Sequence, residues 1–204
     1  VGSEMCIRDR PYQLRRSNVY ALRASLLSYG YPDVEIDYVP DAPELLLSHY
    51  HKNKESYDLL IYSGGISQGK RDYLPTIWQD AGVIPYIQKV RQKPGKPMWF
   101  GIDHSSNTMI WGLPGNPISG LVCLHRYLLN RMRFAGYLQT TIEFTPDLTY
   151  FVPVKINATH QFTPIVPQNS GDFTALAGTD GFVELPRDKK LFTPQEQFIF
   201  YPWY

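Results

Sequence analysis

The sequence predicts an α/β fold, a mostly parallel sheet with helices on both faces, followed by a small β domain. Three observations carry that expectation. Helical periodicity alternates with short apolar runs as far as about residue 138. Beyond it, runs such as Tyr150-Phe-Val-Pro-Val-Lys-Ile and Gln197-Phe-Ile-Phe-Tyr are rich in β-formers and broken by proline and glycine, with no helical period. Two glycine turns directly follow apolar runs, the position where open α/β sheets bind ligands.

The elements follow in order. Residues 1–10 show neither helical nor alternating periodicity and read as a segment foreign to the fold, which leaves 11–138 for the α/β domain and 139–204 for the β domain. Ser17 is placed to cap a helix from Asn18 to Tyr29, with Leu22, Leu26 and Leu27 on one face and Gly30 as the left-handed stop. Val34–Val39 alternates as a strand does. Asp41-Ala-Pro-Glu44 resembles a capping box opening a second helix through about His49. An apolar run over 58–62 predicts a buried strand, followed by a glycine loop and a helix from Tyr73 to Ala81 closed by Gly82. Strands are expected near 83–90, 97–102 and 107–112, then a last helix over 117–134.

Composition narrows the function classes. The chain has 204 residues, with 20 basic and 19 acidic side chains and a net charge of +1, so no general field favours nucleic acid or an anionic membrane. Any anion site must be local. The two cysteines, Cys6 and Cys123, form no metal or CxxC pattern, which suits a reducing, cytoplasmic setting. No run approaches the roughly 20 apolar residues of a membrane span. The fifteen tyrosines and four tryptophans are scattered through inferred strands and helix faces, a core pattern rather than a nucleic-acid platform. The five histidines lack metal-ligand spacing.

The chemistry concentrates in three turns. Ser63-Gly-Gly-Ile-Ser-Gln-Gly69 opens from the 58–62 strand, Gly112-Leu-Pro-Gly-Asn-Pro117 follows another apolar run, and Lys93-Pro-Gly-Lys-Pro97 lies between them. Glycines expose backbone N–H groups, and those groups bind phosphate without a charged side chain. Gly64-x-x-x-x-Gly69-Lys70 satisfies most of a Walker A pattern, but Arg71 stands where the Mg²⁺-binding hydroxyl belongs, which disfavours a nucleoside triphosphatase. A plain strand-to-helix connection would also use such glycines. Asp72 is read either as a metal ligand against bound phosphate or as a helix-start carboxylate, and Asp41 carries the same ambiguity. Lys89, Lys93 and Lys96 put charge around one turn, which suits a pyrophosphate or another oxyanion and equally a solvated face.

Five fragments in order, Ser17-Asn18, Asp41, Ser63-Gly-Gly-Ile-Ser-Gln-Gly69 with Asp72-Tyr73, Lys93-Pro-Gly-Lys-Pro97, and Leu113-Pro-Gly-Asn-Pro117 with Ser119, resemble the molybdopterin molybdenumtransferases. This is the MoeA family, which includes the gephyrin E domain. Gln168-Asn-Ser170 and Gly181-Phe-Val-Glu-Leu185 extend the likeness toward the C-terminus. The resemblance implies a Mog-like molybdopterin-binding domain, then a β-barrel-like one. It implies an enzyme that takes adenylylated molybdopterin and molybdate, places molybdenum on the dithiolene and releases AMP, with Mg²⁺ at the pyrophosphate. By likeness, Asp41, Asp72, Lys89, Lys93 and Ser170 are catalytic positions, and Asp41 and Asp72 hold the metal. Ser63, Gly64, Gly65, Ser67, Gly69, Lys96, Pro114, Gly115, Asn116, Pro117 and Ser119 would bind the pterin phosphate and pyrophosphate. The family's long N-terminal lid and dimerising region has no counterpart here, nor has its Thr-Gly-Asp-Glu-like first strand, so the expectation is a fragment of a homodimeric parent. A molybdopterin adenylyltransferase, sharing the sheet domain and glycine loop, is one alternative. A non-catalytic scaffold module of the gephyrin type is another.

Overall fold

The computed structural model describes residues 17–66, 72–129, 133–167 and 172–204. The first helix, α1 (Ser17–Ser28), ends as its sequence requires: Gly30 takes φ +86°, its N–H bonds Leu27 O and the Tyr31 N–H bonds Leu26 O. That paired arrangement satisfies two of the last carbonyls of the helix. Residues 34–39 form no strand. Val34 and Val39 pack against opposite cores, yet no described strand lies alongside them, and alternation without a neighbour gives no ladder.

The second helix, α2 (Pro43–Lys54), has Ala42 rather than Asp41 at its N-cap and no side-chain cap bond, because Pro43 occupies the first helical position. It runs five residues beyond the expected His49. At its far end Thr108 Oγ1 donates to the Lys54 carbonyl at 2.6 Å, satisfying one of the last orphan acceptors.

Strand β1 (Leu59–Ser63), helix α3 (Leu74–Asp80) and strand β2 (Ile84–Gln88) appear where expected, with Gly82 at φ +90° after α3. A two-residue strand, β3 (Gln92–Lys93), lies within the lysine-rich turn. Strands β4 (Trp99–Asp103) and β5 (Thr108–Leu113) complete a sheet of order β1-β5-β4-β2. The β1–β5 pair is parallel; β4–β5 and β2–β4 are antiparallel, so the described sheet is mixed. Residues 104–107 join β4 to β5, and a connection that short permits only antiparallel pairing.

Alternation along the strands sorts the core into two layers. Leu60, Trp99 and Ile110 face α2 and α3, packing with Leu46, Tyr50, Leu74 and Trp78. Trp111 and Leu113 face α1 and the helix α4 (Pro117–Cys123), packing with Leu22, Leu26 and Ile118. Helices thus cover both faces of the sheet.

From Leu124 to Leu128 the helix continues as a π-helical turn and then stops. Phe134, expected as the last residue of that helix, instead opens strand β6 (Phe134–Leu138), which pairs with the second sheet. The remaining strands are β7 (Ile142–Glu143), β8 (Thr149–Ile156), β9 (Gln161–Pro164), β10 (Gly181–Leu185), β11 (Leu191–Phe192) and β12 (Gln197–Pro202). Pairings β10–β12, β12–β6, β6–β9, β9–β8 and β8–β10 close a five-stranded barrel. Its interior holds Leu138, Val152, Val154, Phe162, Val183, Leu185 and Phe200. Its outward-facing Phe151, Phe182 and Tyr201 join the α1–α4 core, so the two units share apolar burial. Strand β3 adds to the barrel by pairing in parallel with Thr149 and Tyr150.

Candidate functional site

Strand register brings the three turns to one end of the first sheet. Ser63 pairs with Leu113, Gly112 with Trp99, and Trp99 with Gln88. The loops leaving β1 and β5, and the segment leaving β2 toward the lysine turn, therefore depart from the same end of the strands, with β1 and β2 on opposite edges of the sheet.

Two of these bends touch. Gly64 (φ +91°) and Gly65 (φ +70°) turn the chain left-handed directly after β1. The Gly64 N–H bonds Leu113 O at 3.0 Å, and a Cβ added to Gly115 would lie 3.5 Å from Gly64 Cα. Asn18 of α1, 4% exposed, ties them together: its Nδ2 donates to Ser63 Oγ at 3.2 Å and to Gly115 O at 2.6 Å. Pro114 is buried, Gly115 and Pro117 are half-buried, and Asn116 is exposed at the tip.

The third bend lies against α4. Gly95 is buried with φ +93°, and an added Cβ would sit 2.6 Å from Cys123 Sγ and 3.4 Å from Ser119 O. Gln92, buried, organises this turn: its Nε2 donates to Pro94 O at 2.9 Å, and its Oε1 accepts from Tyr127 Oη at 2.5 Å. Nothing in the sequence distinguished Gln92, since one glutamine in a polar turn has no pattern. Burial pushes the Cys123 thiol up to about 12, with the Gln92 amide opposing, so Cys123 is a packing residue and not a nucleophile.

The expected site residues divide. Ser63, Gly64, Gly65, Pro114, Gly115, Asn116 and Pro117 gather at the paired bends. Ser119 is buried at the contact between α4 and Gly95. Lys89, Lys93 and Lys96 are all exposed around the third bend. The Lys93 ammonium lies over the stacked rings of Phe144 and Tyr150, at 5.7 and 5.9 Å from their centroids, and so faces the barrel. Lys89 takes φ +122°, an unusual conformation for a residue with a Cβ. Asp41 precedes α2 and Asp72 precedes α3, both half-buried. Ser67, Gly69 and Ser170 lie outside the described residues. Among the described residues no group of three His, Cys, Asp or Glu side chains converges as a metal site.

Two other polar features lie elsewhere. A cavity of about 260 Å³ opens on the seam between the units, lined by residues that include Arg91, Gln92, Tyr127, Glu184 and Arg187. Beside it Arg126 grips Glu184 at 2.8 and 3.3 Å while Tyr201 donates to the same carboxylate at 2.7 Å. At the sheet end opposite the glycine bends, buried Asp103 accepts from Tyr50, Lys54 and Ser105. That cluster fastens the end of α2 to the β4–β5 turn.

Residues 1–133 match the family described as the probable molybdopterin binding domain, and residues 135–203 match the MoeA C-terminal region, domain IV. The chain belongs to the MoeA family. Over 98% of its length it is 52% identical to a molybdopterin molybdenumtransferase of Synechocystis, of which it covers 52%. It is 31% identical over 66% of its length to the molybdenum cofactor synthesis protein cinnamon of Drosophila melanogaster, covering 23% of that protein. It is 24% identical over 86% of its length to the Bacillus subtilis molybdopterin molybdenumtransferase, covering 44%. The chain thus spans about half the length, or less, of these relatives. Among solved structures, a MoeA protein of Pyrococcus horikoshii superposes with a TM-score of 0.79 over the whole chain and 52% of its own, at 22% identity, a likeness of fold. Among the described residues no helix is long and apolar enough to cross a membrane.

Proposed function

We propose that this chain is the C-terminal portion of a molybdopterin molybdenumtransferase, placing molybdenum from molybdate onto adenylylated molybdopterin with release of AMP. The observation that carries the reading is the pair of touching glycine bends, Gly64–Gly65 and Pro114–Pro117, fixed to each other through Asn18. Such a surface offers backbone donors and the Ser63 hydroxyl to a phosphate, and leaves the lysines of the third bend for the other oxyanions. In this reading Asn116, exposed at the tip, meets the substrate. Lys89 and Lys96 attract molybdate and the pyrophosphate, with Lys93 joining them from its seat over Phe144 and Tyr150. Ser67, Gly69 and Ser170 are assigned to the substrate by family likeness alone.

A Mg²⁺ ion fits this chemistry only with its substrate. No three-ligand protein cage exists among the described residues, but Mg²⁺ is commonly held by one or two carboxylates plus phosphate oxygens. Asp72, and Asp41 if the substrate reaches it, are the carboxylates to hold it. When bound, the ion would neutralise charge on the pyrophosphate as it is cut. The working protein is a cytoplasmic homodimer in this reading.

The five-stranded barrel favours a transferase over a molybdopterin adenylyltransferase, whose chemistry needs only the sheet unit. The test is AMP release from adenylylated molybdopterin on titration with molybdate, using the full-length parent that carries this portion. Turnover is expected, and Asp72→Asn should abolish it with the thermal midpoint unchanged. No AMP from the unaltered parent, with peptide capture in its place, would favour the scaffold alternative.

A further inference from the structure

Asn18 does more than join two loops. Its amide nitrogen carries two hydrogens, and both are used, one on Ser63 Oγ and one on Gly115 O. The orientation of this amide is fixed by chemistry: a backbone carbonyl only accepts, so the atom facing Gly115 O at 2.6 Å must be nitrogen.

Each bond sets the direction of a donor. Because Asn18 donates to Ser63 Oγ, that oxygen acts as acceptor toward α1, and its own hydroxyl hydrogen is directed elsewhere. Because Asn18 holds the Gly115 carbonyl, the planar trans peptide to Asn116 turns its N–H to the opposite side. Asn18 itself is 4% exposed, so it acts from behind the bends rather than from the ligand side.

We propose that Asn18 is a positioning residue that orients the Ser63 hydroxyl and the Gly115–Asn116 peptide as a matched pair of donors to the substrate phosphate. The ligand in this statement rests on the transferase reading; the geometry of the clamp does not.

The two parts are separable by experiment on the 204-residue chain. In Asn18→Asp the side chain keeps its shape but loses both N–H donors and sets a carboxylate against a carbonyl. Without ligand, hydrogen exchange at the Gly64 amide should accelerate at least roughly tenfold, the equivalent of one lost hydrogen bond, with the amides of β8 unaffected. By calorimetry at a temperature where both chains are folded, affinity for adenylylated molybdopterin should fall at least roughly tenfold. Asn18→Ala buries no charge and should give the same two changes if the aspartate variant fails to fold. Unchanged exchange at Gly64, or faster exchange with unchanged affinity, would overturn the assignment. Absence of any binding by the unaltered chain would overturn the phosphate ligand and the transferase reading together, leaving the exchange experiment to decide the clamp.

Discussion

His125 shows how a single buried residue ties this chain to pH. It is 2% exposed, its Nε2 lies 3.1 Å from Ser25 Oγ, and Tyr29 and Trp203 meet it edge-on. Burial depresses its pKa to about 4, against a small opposing contribution from the Pro202 carbonyl. The unfolded chain therefore binds a proton that the folded chain refuses between about 6.5 and 4, and stability falls as pH drops through that window. The loss is on the order of 3 kcal/mol at most. Asp103 adds a second, lower window. Burial alone would raise its pKa, but the hydrogen bonds from Ser105, Tyr50 and Lys54 outweigh it and hold the carboxyl well below the usual range. Its contribution is present above about pH 4 and is lost as pH falls further. Urea unfolding at pH 7, 5 and 4 should show the midpoint falling, and His125→Gln should remove most of the drop between 7 and 5. A drop undiminished by that substitution would contradict the assignment. Neither residue was legible as special in the sequence, since burial and partners come from contacts distant along the chain. The glycines and prolines of the bends were legible because their turn chemistry is local.

At the scale of elements, sequence rules held where the cause is local and yielded where it is not. Gly30 and Gly82 ended α1 and α3 at the expected places because a left-handed residue is a property of one position. Residues 34–39 and 134–138 went the other way. The first alternate correctly but form no ladder among the described residues; the second begin at Phe134, the expected last residue of a helix, yet pair as β6 with β12 and β9. Strand formation depends on a neighbour that no local window contains. The first and third bends differ in a testable way. Gly64 needs only its positive φ, with nothing within 4 Å of an added Cβ, so Gly64→Ala should cost about 1 kcal/mol. Gly95 needs its φ and its space, since the added carbon would meet Cys123 Sγ at 2.6 Å and Gln92 Nε2 at 2.7 Å. Gly95→Ala should cost about 3 kcal/mol in urea unfolding. Equal costs at the two positions would mean that the third bend is not packed as described.

The molecule as a whole is two units with one shared apolar layer. Phe151, Phe182 and Tyr201 leave the barrel to pack with α1 and α4, β3 pairs with β8, and Arg126 holds Glu184 across the seam. The order of helices and strands, and the change to β structure near the C-terminus, could be read from periodicity. The closure of the barrel and the mixed direction of the first sheet could not, because both depend on which edges find each other. The seam also carries an open cavity with Arg91 and Arg187 on its wall, and it is a rival location for an anionic ligand. The most direct test of the central claim is a ¹H–¹⁵N NMR titration of the 204-residue chain with adenylylated molybdopterin. The amides of Gly64, Gly65, Gly115 and Asn116 should shift together and saturate at one affinity. Shifts confined to Arg91, Gln92 and Arg187, with those four amides unmoved, would place the phosphate in the seam and contradict the account.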